Sequence, residues 1–231
     1  VPRAVMDYLA GFFDGDGCVT VQPNLSGCRL TVTQQVFGQE VLLTFLCAFG
    51  GTIHLAADGR GCTRPVLQWR ISGQSAKSTA KLLSQHCIVK KQQLEIAMIW
   101  PSSTLERLRC RSKLQELKMT PLSPVQHGMI SWSYVTGFFD AEGCIAVSPV
   151  NKSVCIDIAQ KDTAVLKAIK CFLQSHAGLS DVAVPERKGR SCSYIRVCSS
   201  KAVTRILQQL LSYGLLVKQA SASQVLTSVL L

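Results

Sequence analysis

The chain has 231 residues, 47% of them hydrophobic, and a net charge of +11, so it can form one large domain or two of about 100 residues each. It contains no run of about 18 uninterrupted apolar residues, which argues against a membrane-spanning helix. The positive excess is spread as +3 over residues 1–100, +3 over 101–131 and +5 over 132–231, a distribution that suits a polyanion laid across the whole molecule.

In chain order, "AVMDYLAGFFDGDG" has helical spacing, with Val5, Leu9, Phe12 and Phe13 on one side. "CVTVQPN" and "CRLTVTQQV" then alternate apolar and polar residues, as half-buried antiparallel strands do. "QEVLLTFLCAFG" reads as an amphipathic helix ending at glycine, "GTIHLAA" and "PVLQWRIS" as a second strand pair, and "SAKSTAKLLSQH" and "KQQLEIAMIW" as two helices. Residues 101–131 hold three of the eight prolines and many cations, and resemble neither flank. They read as a linker, partly helical in "TLERLRCRSKLQELK". The order then repeats: a helix at 133–141, strands at 144–150 and 153–160, a helix at 163–176, strands near 181–186 and 192–198, and two final helices. The expectation is an α+β protein with domains at 1–100 and 132–231.

Two local features bear on the setting. Val1 onward shows no basic-then-apolar leader. The eleven cysteines include no CxxC or CxxxC pair and several lie in apolar stretches, so reduced thiols are expected rather than a disulfide framework or a zinc site.

The two halves correspond residue by residue. "GFFDGDG" at 11–17 returns as "GFFDAEG" at 137–143, and Gln34 and Arg70 return as Gln160 and Arg196, all at an offset of 126. Lys90 returns as Lys218 at an offset of 128, which marks a two-residue insertion. In each motif small residues lie four apart, Gly11 with Gly15 and Gly137 with Ala141, a spacing that lets two helix backbones approach closely. Packed about a pseudo-twofold axis, the two helices would bring Asp16 and Glu142 side by side. A carboxylate at a helix C-terminus faces the negative end of the dipole and a second one adds repulsion. The acids are therefore either solvated helix ends or a site for a hard cation such as Mg²⁺, and their duplication in register favours the cation. In a basic protein this points to phosphodiester cleavage, with Lys90 and Lys218 placed to stabilise developing phosphate charge.

"YLAGFFDGDG" and "YVTGFFDAEG" resemble the paired signature motifs of a single-chain, group-I-intron-like LAGLIDADG homing endonuclease, and the resemblance covers the whole chain. It implies two pseudo-twofold-related αββαββα domains whose antiparallel, saddle-shaped sheets lie over double-stranded DNA. It also implies a monomer with an internal pseudo-dimer and no membrane association. Asp16 and Glu142, joined by the carbonyls of Gly15 and Ala141, would hold Mg²⁺, with Mn²⁺ or Ca²⁺ able to take its place. Gln34, Gln160, Lys90 and Lys218 would complete the catalytic pocket, and cleavage would leave 3′ overhangs. An organelle, chloroplast or mitochondrion, is the expected compartment. Departures are Val135-Thr136 in place of Leu-Ala, and Gly38 where some relatives carry an arginine.

Base readout is expected from alternate strand residues, since Gln and Asn suit adenine and Arg suits guanine. These are Thr20, Gln22, Asn24, Thr31, Thr33, Gln68 and Arg70 in the first half, and Ser148, Asp157, Tyr194 and Arg196 in the second. Arg187, Lys188 and Arg190, in one loop, would follow the phosphates, and Arg29, Arg60, Arg64, Lys152 and Lys161 are further candidate DNA contacts. An intron RNA maturase or non-cleaving DNA-binding protein of the same fold is the alternative. A glycosidase pair of acids suits neither the charge nor the 6% aromatic content.

Overall fold

A computed structural model describes residues 1–22, 24–59, 64–125, 128–150, 153–177 and 192–229. The first half runs α1 (Arg3–Asp16), β1 (Gly17–Val21), β2 (Cys28–Gln35), a 3₁₀ turn (Val36–Gly38), α2 (Gln39–Phe49), β3 (Thr52–Ala57), β4 (Val66–Ser72), α3 (Gly73–Ser84) and α4 (Lys91–Met98). After α5 (Thr104–Met119), the second half runs α6 (Trp132–Glu142), β5 (Gly143–Val147), β6 (Val154–Gln160), α7 (Thr163–Ala177), β7 (Ser193–Val197), α8 (Ser200–Ser212) and α9 (Gln219–Val229). The strands form two antiparallel sheets, ordered β1-β2-β4-β3 and, among the described residues, β5-β6-β7. The strand expected near 181–186 lies outside the described residues.

The alternation seen in sequence sorts the two faces of each sheet. Val19, Leu30, Val32, Trp69 and Ile71 are buried beneath the first sheet, against Phe13, Phe45 and the aliphatic faces of α2 and α3. Ile156, Ile158, Ile195 and Val197 do the same beneath the second, against Leu166, Ile169 and Leu207. The core is continuous through α1 and α6, and α6 is buried at every position from 132 to 140.

That burial follows from how the two helices meet. An added Cβ at Gly11 would strike the carbonyl of Tyr134, and one at Gly137 the carbonyl of Tyr8. These are the same contact exchanged between the repeats, as a twofold axis requires. The axis also exchanges two hydroxyls: Tyr8 donates to Asp140 (2.8 Å) and Tyr134 to Asp14 (2.7 Å). Burial and the adjacent carboxylates push both tyrosines well above their usual range, so they stay protonated donors. Ser131 caps α6 by accepting from Tyr134 N, and its hydroxyl donates to Asp7 of α1 (3.0 Å).

Two expectations are corrected. The strand expected to reach Asn24 stops at Val21, because the chain turns there: Gln22 N bonds Gly27 O, and the side chains of Gln22 and Asn24 both accept from Ser26. The expectation of wholly reduced cysteines fails at one pair, since Cys155 and Cys198 form a disulfide with Cα atoms 4.2 Å apart. The register pairs Ile156 with Val197, so the next positions outward face each other across β6 and β7.

Gly11→Ala or Gly137→Ala forces a methyl group into a backbone carbonyl that cannot move aside. Each is expected to destabilise the protein by at least ~2 kcal/mol in urea unfolding, whereas Gly27→Ala, whose Cβ meets nothing within 4 Å, should leave the midpoint nearly unchanged.

Candidate active site

Asp16 and Glu142 are the last residues of α1 and α6, and close packing of the helices carries them together. A Cβ built on Gly15 lies 3.0 Å from Glu142 Cγ and 3.6 Å from its Oε1, so the two final turns touch. Each acid has a matching amide: Gln34 Nε2 donates to Asp16 Oδ2 at 2.5 Å, and Gln160 Nε2 to Glu142 Oε1 at 3.0 Å. Gly38, where an arginine was looked for, lies beside this network, its Cβ position 3.1 Å from Gln34 Oε1 and 3.4 Å from Val217 Cγ1 of the other half.

The other pair of acids in the motifs has a different task. Asp14 accepts from the backbone N–H groups of Ile88 (2.5 Å), Val89 (3.0 Å) and Lys90 (2.8 Å), as well as from Tyr134. Asp140 accepts from Leu216 N (2.7 Å) and Lys218 N (2.9 Å), as well as from Tyr8. Both are buried, and they satisfy backbone N–H groups of the segments just before α4 and α9. The repeated tyrosines at 8 and 134 were the available signal for this pairing, but reading it requires knowing which helices cross.

By anchoring those segments, Asp14 and Asp140 aim two lysines back at the motif helices. Lys90 Nζ donates to the carbonyls of Phe13 (2.9 Å), Asp14 (2.5 Å) and Gly15 (2.8 Å), and Lys218 Nζ donates to that of Asp140. The cations therefore neutralise the negative helix ends from behind. Burial lowers both lysine pKa values. The carboxylates in front feel the opposite push. Burial, then the charge of Glu142, raises Asp16 to about 6, against opposing pulls from Lys218, Lys90 and Gln34, and burial raises Glu142.

Among the described residues no group of three or more His, Cys, Asp and Glu side chains could hold a metal. The donors on offer are two crowded carboxylates and nearby carbonyls, an all-oxygen set short of positive charge. That fits a hard divalent cation sharing its shell with a ligand's oxygens.

Residues 131–211 match the family model of the LAGLIDADG-like domain. A sequence comparison with curated proteins yields no match. Among solved structures, the chain is similar to the LAGLIDADG meganuclease I-AabMI bound to uncleaved DNA (18% identity, TM-score 0.69, covering 97% of this chain and 89% of that one). It is similar also to the LAGLIDADG homing endonuclease I-GzeII in complex with a DNA target (12%, TM-score 0.67, 95% and 88%). I-SmaMI bound to an uncleaved DNA target with calcium ions matches at 15%, TM-score 0.60, covering 91% and 85%. The whole chain thus has the two-repeat LAGLIDADG meganuclease fold.

Within that fold, the strands carry nine of the nineteen residues singled out as DNA contacts, on faces turned away from the core. On the first sheet, register aligns Thr20 with Arg29, Thr33 with Gln68, and Thr31 with Arg70. Thr33 accepts from Gln68 (3.0 Å), the Arg29 Nε is buried with no partner, and Thr31 is buried rather than open. Thr52 and His54 of β3 continue this face opposite Arg70 and Gln68. Sequence reading placed this strand but did not include either residue among the expected base contacts. Arg64 stacks over the exposed Phe37 ring, 4.9 Å from its centroid. On the second sheet, Arg196 donates from Nε and Nη2 to the two oxygens of Asp157 (2.7 and 2.8 Å) and lies over Tyr194. Ser148 sits in the turn after β5, and Lys161 follows β6 with its N–H on Gln160 Oε1. Arg60, Lys152, Arg187, Lys188 and Arg190 lie outside the described residues.

The raised Asp16 pKa has a defined sign in the metal-free protein. Stability that this group contributes is present below pH ~4 and is lost as pH rises through about 6. Asp16→Asn, which keeps an acceptor for Gln34, should therefore stabilise the metal-free protein by ~1–2 kcal/mol at pH 8. In thermal melts that gain should vanish by pH ~4.

Proposed function

We propose that this chain is a metal-dependent endonuclease that cuts both strands of a long, asymmetric DNA target and leaves 3′ overhangs. The observation that carries the reading is the convergence of Asp16 and Glu142 at the crossing of α1 and α6, midway between two sheets with polar outer faces. Two catalytic acids on one pseudo-twofold axis match the two strands of a duplex. The comparison structures, solved with DNA, support the same partner for this chain. The one solved with calcium supports a divalent-ion requirement.

The Asp16 and Glu142 carboxylates, with the carbonyls of Gly15 and Ala141, would hold the cation, and Mg²⁺ suits this donor set. Bound there, the ion supplies charge neutralisation at the phosphate and a more acidic bound water. Gln34 and Gln160 hold each carboxylate in one orientation through the bonds described above. Lys90 and Lys218 fix the helix ends and keep positive potential under the phosphates, so they act first as positioning residues and second as electrostatic ones. The outer faces would read bases, with Arg70 and Gln68 reaching the major groove. The working unit would be one chain, with residues 1–100 and 132–231 as its two domains and 101–131 as the linker.

Selection of cleaved duplexes from a randomised library in Mg²⁺ tests the reading directly and returns the target. Asp16→Asn and Glu142→Gln should each reduce double-strand cutting by at least ~10³-fold while duplex affinity measured in Ca²⁺ stays within about threefold. Undiminished cutting by both variants would refute the assignment, and preferential binding of intron RNA over duplex would favour the maturase alternative.

A further inference from the structure

The linker has no counterpart in either repeat, yet it runs beside only one of the two acids. Leu114 is the one buried residue of α5 among those described and seats the helix along the outer edge of β1, where Arg111 and Lys118 lie near Thr20 and Gln22. At the end of α5 the chain turns along a cleft of about 730 Å³, whose other wall includes Lys90, Glu142, Gln160 and Lys161. Neither Asp16 nor Gln34 lines it. Leu122 N donates to Asp162 Oδ2 at 2.6 Å and so holds the linker against the start of α7.

Four lysines and four acids line this cleft, but three of the acids are already engaged by other partners. Asp14 is consumed by its buried bonds, Asp162 accepts from Leu122 N and Ala164 N, and Glu116 is paired with Lys113 at 2.7 Å. Lys118 is exposed, its Nζ donating among the described residues only to Cys18 Sγ at 3.9 Å on the outer face of β1, and Lys161 is exposed beside Gln160. The position 126 residues before Lys161 is Gln35, so the Asp16 side lacks both cations by construction.

We propose that Lys118 of the linker, with Lys161, binds a backbone phosphate of the strand that is cut at Glu142, so that the linker completes one half of the active site and not the other. Two lysines on separate elements, open to one cleft beside one catalytic acid, form a phosphate clamp that the pseudo-symmetry does not duplicate. The strand served by Glu142 is therefore cut at a different rate from its partner. This rests on the endonuclease reading for its cleavage consequence, but the phosphate contact itself does not.

Lys118→Gln and Lys118→Arg test it in two ways. Binding of a labelled random-sequence duplex, measured in Ca²⁺ across a KCl series, should lose about 0.9 from the slope of log affinity against log salt for Lys118→Gln. Lys118→Arg should keep the wild-type slope. An unchanged slope in Lys118→Gln overturns the contact, and this holds even if the wild-type protein cuts no duplex and the endonuclease reading itself fails. With the selected target labelled on either strand, Lys118→Gln should slow cleavage of one strand about tenfold and accumulate nicked product, with the other strand at the wild-type rate. Equal slowing of both strands, or of neither, overturns the assignment to one half-site.

Discussion

Everything in this molecule depends on two helix backbones touching. Where α1 crosses α6, the carbonyl of one helix occupies the space in which the other would carry a Cβ, at Gly11 and again at Gly137. No side chain larger than hydrogen fits, and the contact leaves both helices largely buried. Because each helix leads directly into the first strand of its sheet, the crossing also sets where both sheets lie. The two C-terminal acids are brought together by backbone packing, against their own electrostatic preference.

That preference is met by a shell of compensating groups arranged in layers. Asp14 and Asp140 collect backbone N–H groups and a tyrosine hydroxyl from the opposite helix, which fixes the segments carrying Lys90 and Lys218. The lysines then bond the carbonyls at the ends of the motif helices. Gln34 and Gln160 hold the carboxylates in front. Even so, burial and the neighbouring Glu142 charge keep Asp16 raised to about 6.

The repeats share this centre and differ around it. Arg70 stands across from Thr31 and Thr52, whereas Arg196 stands across from Asp157 and is clamped by both of its oxygens. A guanidinium held in this way offers fewer free donors to a base edge, so the two sheet faces are not equivalent surfaces. Lys161 against Gln35, and a linker lying on one side alone, extend the same inequality to the neighbourhood of the acids.

The sequence by itself determined the duplication, the identity of Asp16 and Glu142 as the paired acids, and the Gln34/Gln160 and Lys90/Lys218 sets. All of these follow from offsets and local periodicity, which a linear chain displays. It also located nearly every described element to within a few residues, missing chiefly the turn at Gln22 and Asn24, where side-chain bonds to Ser26 replace the ladder. Only the tertiary structure decided which groups answer the buried acids. The Tyr8–Asp140 and Tyr134–Asp14 bonds join residues 132 and 120 positions apart, and depend on which helices cross. It likewise decided the Cys155–Cys198 bond, which rests on strand register, and the course of the linker past Glu142. Sequence shows which residues recur; which of them meet depends on packing, because contact between distant residues is a property of the folded backbone rather than of spacing along it.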